Sequence, residues 1–219
     1  MTAELPAPAR RYFARAIAPG TPLRMVAEIE MTGEIGLGTK DDPGYRPMRA
    51  REIIAPPHGF VWIPTIGTGL ARITGSDGYP EGEDWTRFWL AGTIPVARSR
   101  PSPDFRRSAA TRSILEALWV PASLPPLNAV DWESIDSDRA RAVFRTSNGK
   151  AFALTIAVAP DSCPMSVMMQ RWTDANPNRI SRWQRILRPT AGWRVSEWHR
   201  WHIFMPERIM EEVGHGAAL

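Results

Sequence analysis

The stretch from Leu23 to Leu37 constrains the fold more than any other part of the chain. Its odd-numbered positions are apolar or small, whereas its even-numbered positions are mainly polar, with Glu28 and Glu30 among them. An alternation of period two over this length indicates a strand with one face buried and the other in water. Gly33 keeps the parity, so we expect either a bend there or a tight connection between two strands. Such a long, one-sided strand is typical of a strongly curved antiparallel sheet.

Shorter strand-like segments follow, and residues that favour turns separate them. These segments are Arg49 to Ala55, Gly59 to Thr65, Leu70 to Thr74 and Trp85 to Ile94. The breaks between them are rich in Pro and Gly, and Ser76-Asp77-Gly78 is one that we interpret as a β-turn. Regular short spacing with such breakers predicts a meander.

The C-terminal third also favours strands. Asn148-Gly149 lies between the apolar runs Ala140 to Thr146 and Ala151 to Val158, which is a strong hairpin signal. Further strand predictions are Met165 to Trp172, Trp183 to Arg188 and Trp193 to Phe204.

Helices are expected at three places. A short one near the N-terminus places Tyr12 and Phe13 on one face and stops at Pro19-Gly20. A second begins with Ser102 as N-cap and Pro103 in the first turn. Its apolar stripe consists of Ala110, Ile114, Leu115 and Leu118. Pro206 to Val213 is a candidate for a short last helix.

These elements predict a mainly β (α+β) fold. We expect a strongly curved antiparallel sheet, or a half-barrel meander, with one or two covering helices. No shift in composition marks a boundary, so residues 1–219 are predicted to form a single domain.

The sequence also carries an expectation about compartment. Cys163 is the single cysteine, so the chain forms no internal disulfide, which fits a reducing environment. Met1 to Arg11 lacks a secretory signal, and the longest apolar run, Ala151 to Ala159, is far shorter than a membrane span. We therefore expect a cytoplasmic protein without a transmembrane segment.

Several common chemistries have no support in the sequence. His199 and His202 would lie on opposite faces of the predicted strand, so they make a poor metal pair. Cys163 follows Ser162 in a predicted turn, with no neighbour that would activate its thiol. The glycine-rich stretches lack the pattern that cradles phosphate. We expect no catalytic residue of these kinds, no metal and no cofactor, and lean against an enzyme.

Two alternatives remain open. One is an enzyme of unknown type that uses loop carboxylates such as Glu83, Asp84 and Asp136, although glycosidase chemistry needs two such groups facing each other across a cleft. The other is a binder of phosphate or of single-stranded nucleic acid. It would use arginines interleaved with tryptophans from Arg171 to His202, a mixture that supplies charge and stacking. Strand alternation separates many of those residues onto two faces, so nucleic acid is the less favoured partner.

The leading hypothesis is an apolar binding surface. A curved sheet that holds a helix has a concave face, and methionine adapts well to varied apolar ligands. We predict a lipid or other hydrophobic small molecule as ligand, with a filled core as the competing interpretation. The candidate residues are Met25, Ile29, Met31, Phe60, Trp62, Phe88, Leu90, Phe152, Leu154, Ile156, Met169 and Trp172.

The sequence also resembles a bacterial family of unknown function. The stretches that carry the resemblance are LPAPARRYFARAIAPGTPLRMVAEIEMTGEIGLG, AREIIAPPHGFVWIP, SILEALWVPASLPPLNAVDWESID and QRW, in the family's order. The segment WHRWHIFMPERI departs from its pattern. The family implies no reaction, so no catalytic residue is carried over. The layout of elements is similar to that of lipoprotein carriers with a half-barrel fold, which implies lipid binding by analogy of fold.

Overall fold

The computed structural model describes residues 5–38, 42–80, 83–99, 102–145, 151–172, 180–186 and 201–203, with side chains up to residue 170. The chain divides into two compact units. The first comprises Met1–Ala27, Ile54–Gly59 and Arg107–Arg194, and the second comprises Glu28–Ile53, Phe60–Arg106 and Val195–Leu219. The prediction of a single domain stays a prediction.

Within the described residues the chain forms two α-helices and two sheets. The helices are α1 (Ala7–Ala16) and α2 (Pro103–Leu115). The strands of the first sheet are β1 (Ala27–Gly36), β2 (Tyr45–Ala55), β3 (Gly59–Ile66), β4 (Ile73–Pro80), β5 (Trp85–Leu90), β6 (Ile94–Arg98) and β12 (Trp201–Ile203). Those of the second are β7 (Val130–Ser134), β8 (Arg139–Arg145), β9 (Ala151–Val158), β10 (Pro164–Trp172) and β11 (Ile180–Ile186). Short 3-10 turns lie at Gly69–Ala71, Glu116–Trp119, Pro121–Ser123 and Pro126–Asn128.

The seven-stranded sheet is a meander with one added strand. Its order is β12-β1-β2-β3-β4-β5-β6, and β12 pairs parallel to β1. Strand β1 is continuous through Gly33. The chain therefore does not start a second strand at this residue, which was one of the two expected outcomes. The alternation along β1 is confirmed, because its odd positions are half-buried or buried and its even positions are exposed up to Glu34.

The hairpin of β4 and β5 corrects one turn prediction. Ser76, Asp77 and Gly78 lie inside strand β4 and pair with Arg87, Thr86 and Trp85 rather than forming a turn. The physical reason is space, since a Cβ atom on Gly78 would lie 2.5 Å from the Trp85 ring. Glycine at this position therefore leaves room for the Trp85 ring and does not reverse the chain.

The segment Trp85 to Ile94, predicted as one strand, is the start of a second hairpin. Strand β5 ends at Leu90, and β6 begins at Ile94 and pairs antiparallel with it. Ala91 and Gly92 have positive φ values of 50° and 75°, which turn the chain tightly. The prediction was wrong here because Ala91 gives no turn signal in the sequence.

The five-stranded sheet is an antiparallel meander in the order β11-β10-β9-β8-β7. Helix α1 packs against β8 and β9. Tyr12 is buried there, and its hydroxyl donates a hydrogen bond of 2.9 Å to the carbonyl oxygen of Leu118. The Phe13 ring meets the edge of the Trp132 ring at 5.7 Å between centroids. This helix and its aromatic residues hold the core of the first unit together.

Strand β7, which the sequence analysis did not predict, carries two acids. Asp131 and Glu133 lie on this strand and accept hydrogen bonds from Arg145 and Arg141 of β8, at 2.8 and 3.2 Å. Opposite charges on adjacent strands stabilise the pairing modestly. The two acids therefore stabilise the pairing of β7 with β8. Their charge is the reason that the sequence did not indicate a strand here.

Helix α2 begins as predicted. The Ser102 hydroxyl accepts a hydrogen bond of 3.0 Å from the backbone N–H of Phe105, which is the interaction of an N-cap. The helix continues as a 3-10 turn to Trp119, so the predicted stripe residue Leu118 lies on that extension, where it is buried.

The mainly β fold with antiparallel sheets and two helices is confirmed. Among the described residues, the strands form two open sheets. Within the described residues, no helix has the length and apolarity needed to cross a membrane. The Asn148-Gly149 turn, the predicted helix from Pro206 to Val213 and the side chains of the basic-aromatic segment lie outside the described residues.

Candidate functional site

One face of the seven-stranded sheet gathers apolar candidate residues from three of its strands. Ile29 and Met31 lie on β1, Trp62 lies on β3, and Phe88 and Leu90 lie on β5. We call this the inner face. The rings of Trp62 and Phe88 meet edge to face, with centroids 6.2 Å apart, so these two residues share the same side of the sheet.

The side of β1 follows from an ion pair on the opposite face. Arg51 of β2 donates a hydrogen bond to the exposed carboxylate of Glu28, which lowers the pKa of that carboxyl group. Successive side chains of a strand point to opposite faces. Ile29 and Met31 therefore lie on the side opposite this pair, together with the buried residues of β2.

Coverage of the inner face is uneven. Phe60 and Trp62 are buried, each with 3% of its surface exposed. Ile29, Met31, Phe88 and Leu90 are only half-buried. The face thus has a packed centre on β3 and incompletely covered apolar flanks on β1 and β5.

The inner face also carries a carboxylate that the sequence analysis did not single out. Glu52 of β2 is only 3% exposed, and it alternates with the outward-facing Arg51 and Ile53. The signal was present in the sequence, because Glu52 has the same parity as the apolar Ala50 and Ile54. Glu52 already has an interaction partner within the protein, so its carboxylate is not assigned to a ligand.

The other candidate residues do not join this face. Leu154, Ile156 and Met169 lie on β9 and β10 of the five-stranded sheet and are at most 4% exposed. Phe152 is half-buried opposite Phe144 of β8. These residues fit the filled-core interpretation, in the other compact unit.

Two candidates occupy special positions. Met25 precedes β1, is half-buried, and its sulfur lies 3.7 Å from the Asn128 side-chain nitrogen. Trp172 ends β10 and pairs through its backbone with Ile180, and its side chain lies outside the described residues. Neither residue adds to the inner face.

Two of the three acids of the alternative enzyme hypothesis, Asp84 and Asp136, pair with arginines. The Asp84 side chain is fully buried, and its Oδ1 lies 3.3 Å from Nε of Arg106. Its Oδ2 has no hydrogen-bond partner among the described residues, while the neighbouring Glu83 is exposed. Asp84 and Asp136 belong to different compact units.

Asp136 has the wrong electrostatics for a general acid. Its Oδ2 accepts a hydrogen bond of 2.7 Å from Nε of Arg139, and its Oδ1 accepts from two backbone N–H groups. The Arg139 hydrogen bond is the main cause that lowers the pKa of this carboxyl group. A general acid needs a raised pKa, so the geometry assigns Asp136 to a turn.

The described part of the chain brings together no group of three or more His, Cys, Asp or Glu side chains able to hold a metal ion. His58 is exposed in the turn between β2 and β3.

Cys163 is buried, and burial raises the pKa of its thiol, opposed by the nearby charge of Arg15. We expect the native thiol to react with an aromatic disulfide reagent about ten times more slowly, or slower still, than the unfolded chain, because access requires local opening. The release of the coloured thiol, followed with and without denaturant, measures this ratio. Equal rates would show that Cys163 is accessible in the native state.

These features define a class of protein: a mainly β chain with two antiparallel sheets and a half-covered apolar sheet face. A family model described as "Family of unknown function (DUF6544)" matches residues 1–195, and the chain belongs to this family. The match ends before Trp198, where the segment that departs from the family pattern begins. No curated protein and no solved structure matched the chain in the comparisons. The likeness to lipoprotein carriers therefore stays a prediction.

Proposed function

We propose that the protein binds a lipid or another hydrophobic small molecule on the inner face of the seven-stranded sheet. The observation that carries the proposal is the half-burial of Ile29, Met31, Phe88 and Leu90 around the buried Trp62. Apolar surface left in water is unfavourable in proportion to its area, so covering these side chains with an apolar ligand is a source of binding free energy.

The composition of the face supports the same class of ligand. Met31 has an unbranched, polarizable side chain that adapts to irregular apolar shapes. The proposal concerns binding, and assigns no reaction to the protein.

The direct test is native mass spectrometry of freshly purified protein, followed by extraction into organic solvent. We expect a stoichiometric apolar species that extraction removes and identifies. A clean apo mass in several independent preparations, together with no uptake of added fatty acid, would contradict the proposal. The inner face would then be an incompletely covered core.

A pair of variants locates the ligand. We expect Met31→Gln to weaken binding of a fluorescent fatty acid by about tenfold, since it places a polar amide against the ligand. Ile63→Gln is the matched control, because Ile63 is 50% exposed on the opposite side of β3 from Trp62. Titration followed by fluorescence gives both affinities, and thermal melts verify folding. Equal losses in both variants would place the ligand elsewhere.

A further inference from the structure

A pocket of about 360 Å³ lies at the hairpin of β5 and β6. Its walls are Arg87, Trp89, Pro95, Ala97 and Arg98. Arg87 and Trp89 alternate along β5 with Phe88 and Leu90, which lie on the inner face. The arginines and Trp89 therefore lie on the side opposite the inner face, while Ala97, which pairs with Phe88, lines the pocket beside the register shift. The volume of the pocket is in the range of small-molecule sites.

Two arginines occupy paired positions in this pocket. Arg87 and Arg98 are directly opposite in the register of β5 and β6. Both side chains are exposed, and neither forms an ion pair within the part of the chain that the structure describes. Like charges opposite each other destabilise a strand pair, and an anion between them removes the repulsion. A guanidinium pair matches the geometry of phosphate or carboxylate oxygens.

The third wall of the pocket is a flat aromatic ring. Trp89 is 36% exposed, although large aromatic side chains usually bury more of their surface, and Pro95 lies opposite it on β6. A tryptophan ring that is open to solvent beside arginines offers stacking together with charge. A ligand that uses the whole pocket therefore carries both an anionic group and a flat ring.

We propose that this pocket binds a small phosphorylated aromatic molecule of the nucleoside monophosphate class. The phosphate would lie between Arg87 and Arg98, and the ring would stack on Trp89. A small ligand fits better than a polynucleotide, because the same side of the sheet carries exposed carboxylates at Glu30 and Glu34 of β1. An extended polyanion that crossed the sheet would meet those charges.

Isothermal titration calorimetry with adenosine 5′-monophosphate, inorganic phosphate and adenosine tests the proposal. We expect the monophosphate to bind at least about tenfold more tightly than either fragment, and to bind more weakly as salt is raised. Equal binding of phosphate and of the monophosphate would overturn the role of the ring. A single-stranded oligonucleotide that binds where the monophosphate does not would overturn the choice of a small ligand.

Variants of the pocket give the second arm of the test. We expect Arg87→Gln and Arg98→Gln each to weaken monophosphate binding by about tenfold or more, as charged hydrogen bonds are lost. Arg49→Gln is the matched control, because Arg49 is exposed on the same side of the same sheet but outside the pocket. Its affinity should stay within about twofold of the parent protein.

The role of Trp89 is tested by the NMR resonance of its indole N–H group. The spectrum of Trp89→Leu lacks one indole N–H resonance, which identifies the signal of Trp89 in the parent protein. That resonance should shift when the monophosphate is added to the parent protein. Trp89→Leu should retain phosphate binding but lose the preference for the monophosphate. An unmoved resonance, or affinities that fall equally in Arg49→Gln and Arg87→Gln, would overturn the proposed site. Fatty-acid binding should be unchanged in all of these variants, so failure here is distinguishable from failure of the inner-face proposal.

Discussion

Replacing Trp62 by Ala is expected to lower the free energy of unfolding by about 3–5 kcal/mol, the range for buried large aromatic residues. Trp62 is 3% exposed on β3, and its ring meets Phe88 on the inner face. The substitution removes apolar contacts and leaves a cavity that the surrounding sheet fills only in part. Unfolding in urea, followed by circular dichroism, measures the loss.

Trp89→Ala is the matched control for this experiment, because it removes the same side chain from a nearby strand. Trp89 is 36% exposed on the opposite side of the sheet, so we expect a change within about 1 kcal/mol. Equal losses for the two variants would contradict the burial of Trp62. If Trp62→Ala does not fold, Trp62→Phe gives the same ordering with a smaller cavity.

The second large effect is expected at Tyr12, in the core between α1 and the five-stranded sheet. Tyr12→Ala should cost about 3–5 kcal/mol, since the ring is only 1% exposed. Tyr12→Phe should cost about 1 kcal/mol, because it removes only the hydrogen bond to the Leu118 carbonyl oxygen. Urea unfolding of both variants separates packing from hydrogen bonding. A loss in Tyr12→Phe as large as that in Tyr12→Ala would contradict this division.

Alkaline pH provides an independent readout of Tyr12. Burial raises the pKa of its hydroxyl far above the ordinary value near 10, so the native state keeps the proton while the unfolded chain releases it. The buried neutral hydroxyl therefore leaves the free energy of unfolding at its full value below about pH 10. Above that pH the free energy of unfolding falls, with a slope that approaches about 1.4 kcal/mol per pH unit. At about pH 11, where an unfolded tyrosine is almost fully ionised, the slope for Tyr12→Phe should be smaller in magnitude by about that amount.

Sequence patterns predicted the elements whose signals are local. The alternation along β1 reflects one face against protein and one against water, and both faces are as expected. The cap of α2 was also predictable, because Ser102 and Pro103 act through the geometry of one helical turn. Family membership rested on longer stretches and is confirmed over residues 1–195.

Elements set by distant contacts could not be predicted in this way. Gly78 reads as a turn residue until the Trp85 ring is placed over it on the adjacent strand. Strand β7 is acidic, and only the arginines of β8 show why Asp131 and Glu133 are acceptable there. In both cases the partner strand supplies the reason, and a local window does not contain it.

The candidate site was predicted in part for a related reason. Parity within a strand gives the face of Ile29 or Phe88, but it does not tell which sheet the strand joins. Leu154 and Met169 have the same apolar pattern and lie in the other sheet. Glu52 was missed because its charge outweighed its position, although its parity placed it among buried residues.

Strand β6 ends the order of the seven-stranded sheet, and β5 is its one neighbour among the described strands. The outer border of such a sheet can template pairing with a strand from another molecule. Pro95 lacks the backbone N–H that such pairing needs, the register shifts beside it, and Arg98 places a charge at the end of the strand. The hairpin that forms the pocket thus carries three features that disfavour pairing with a strand of another molecule.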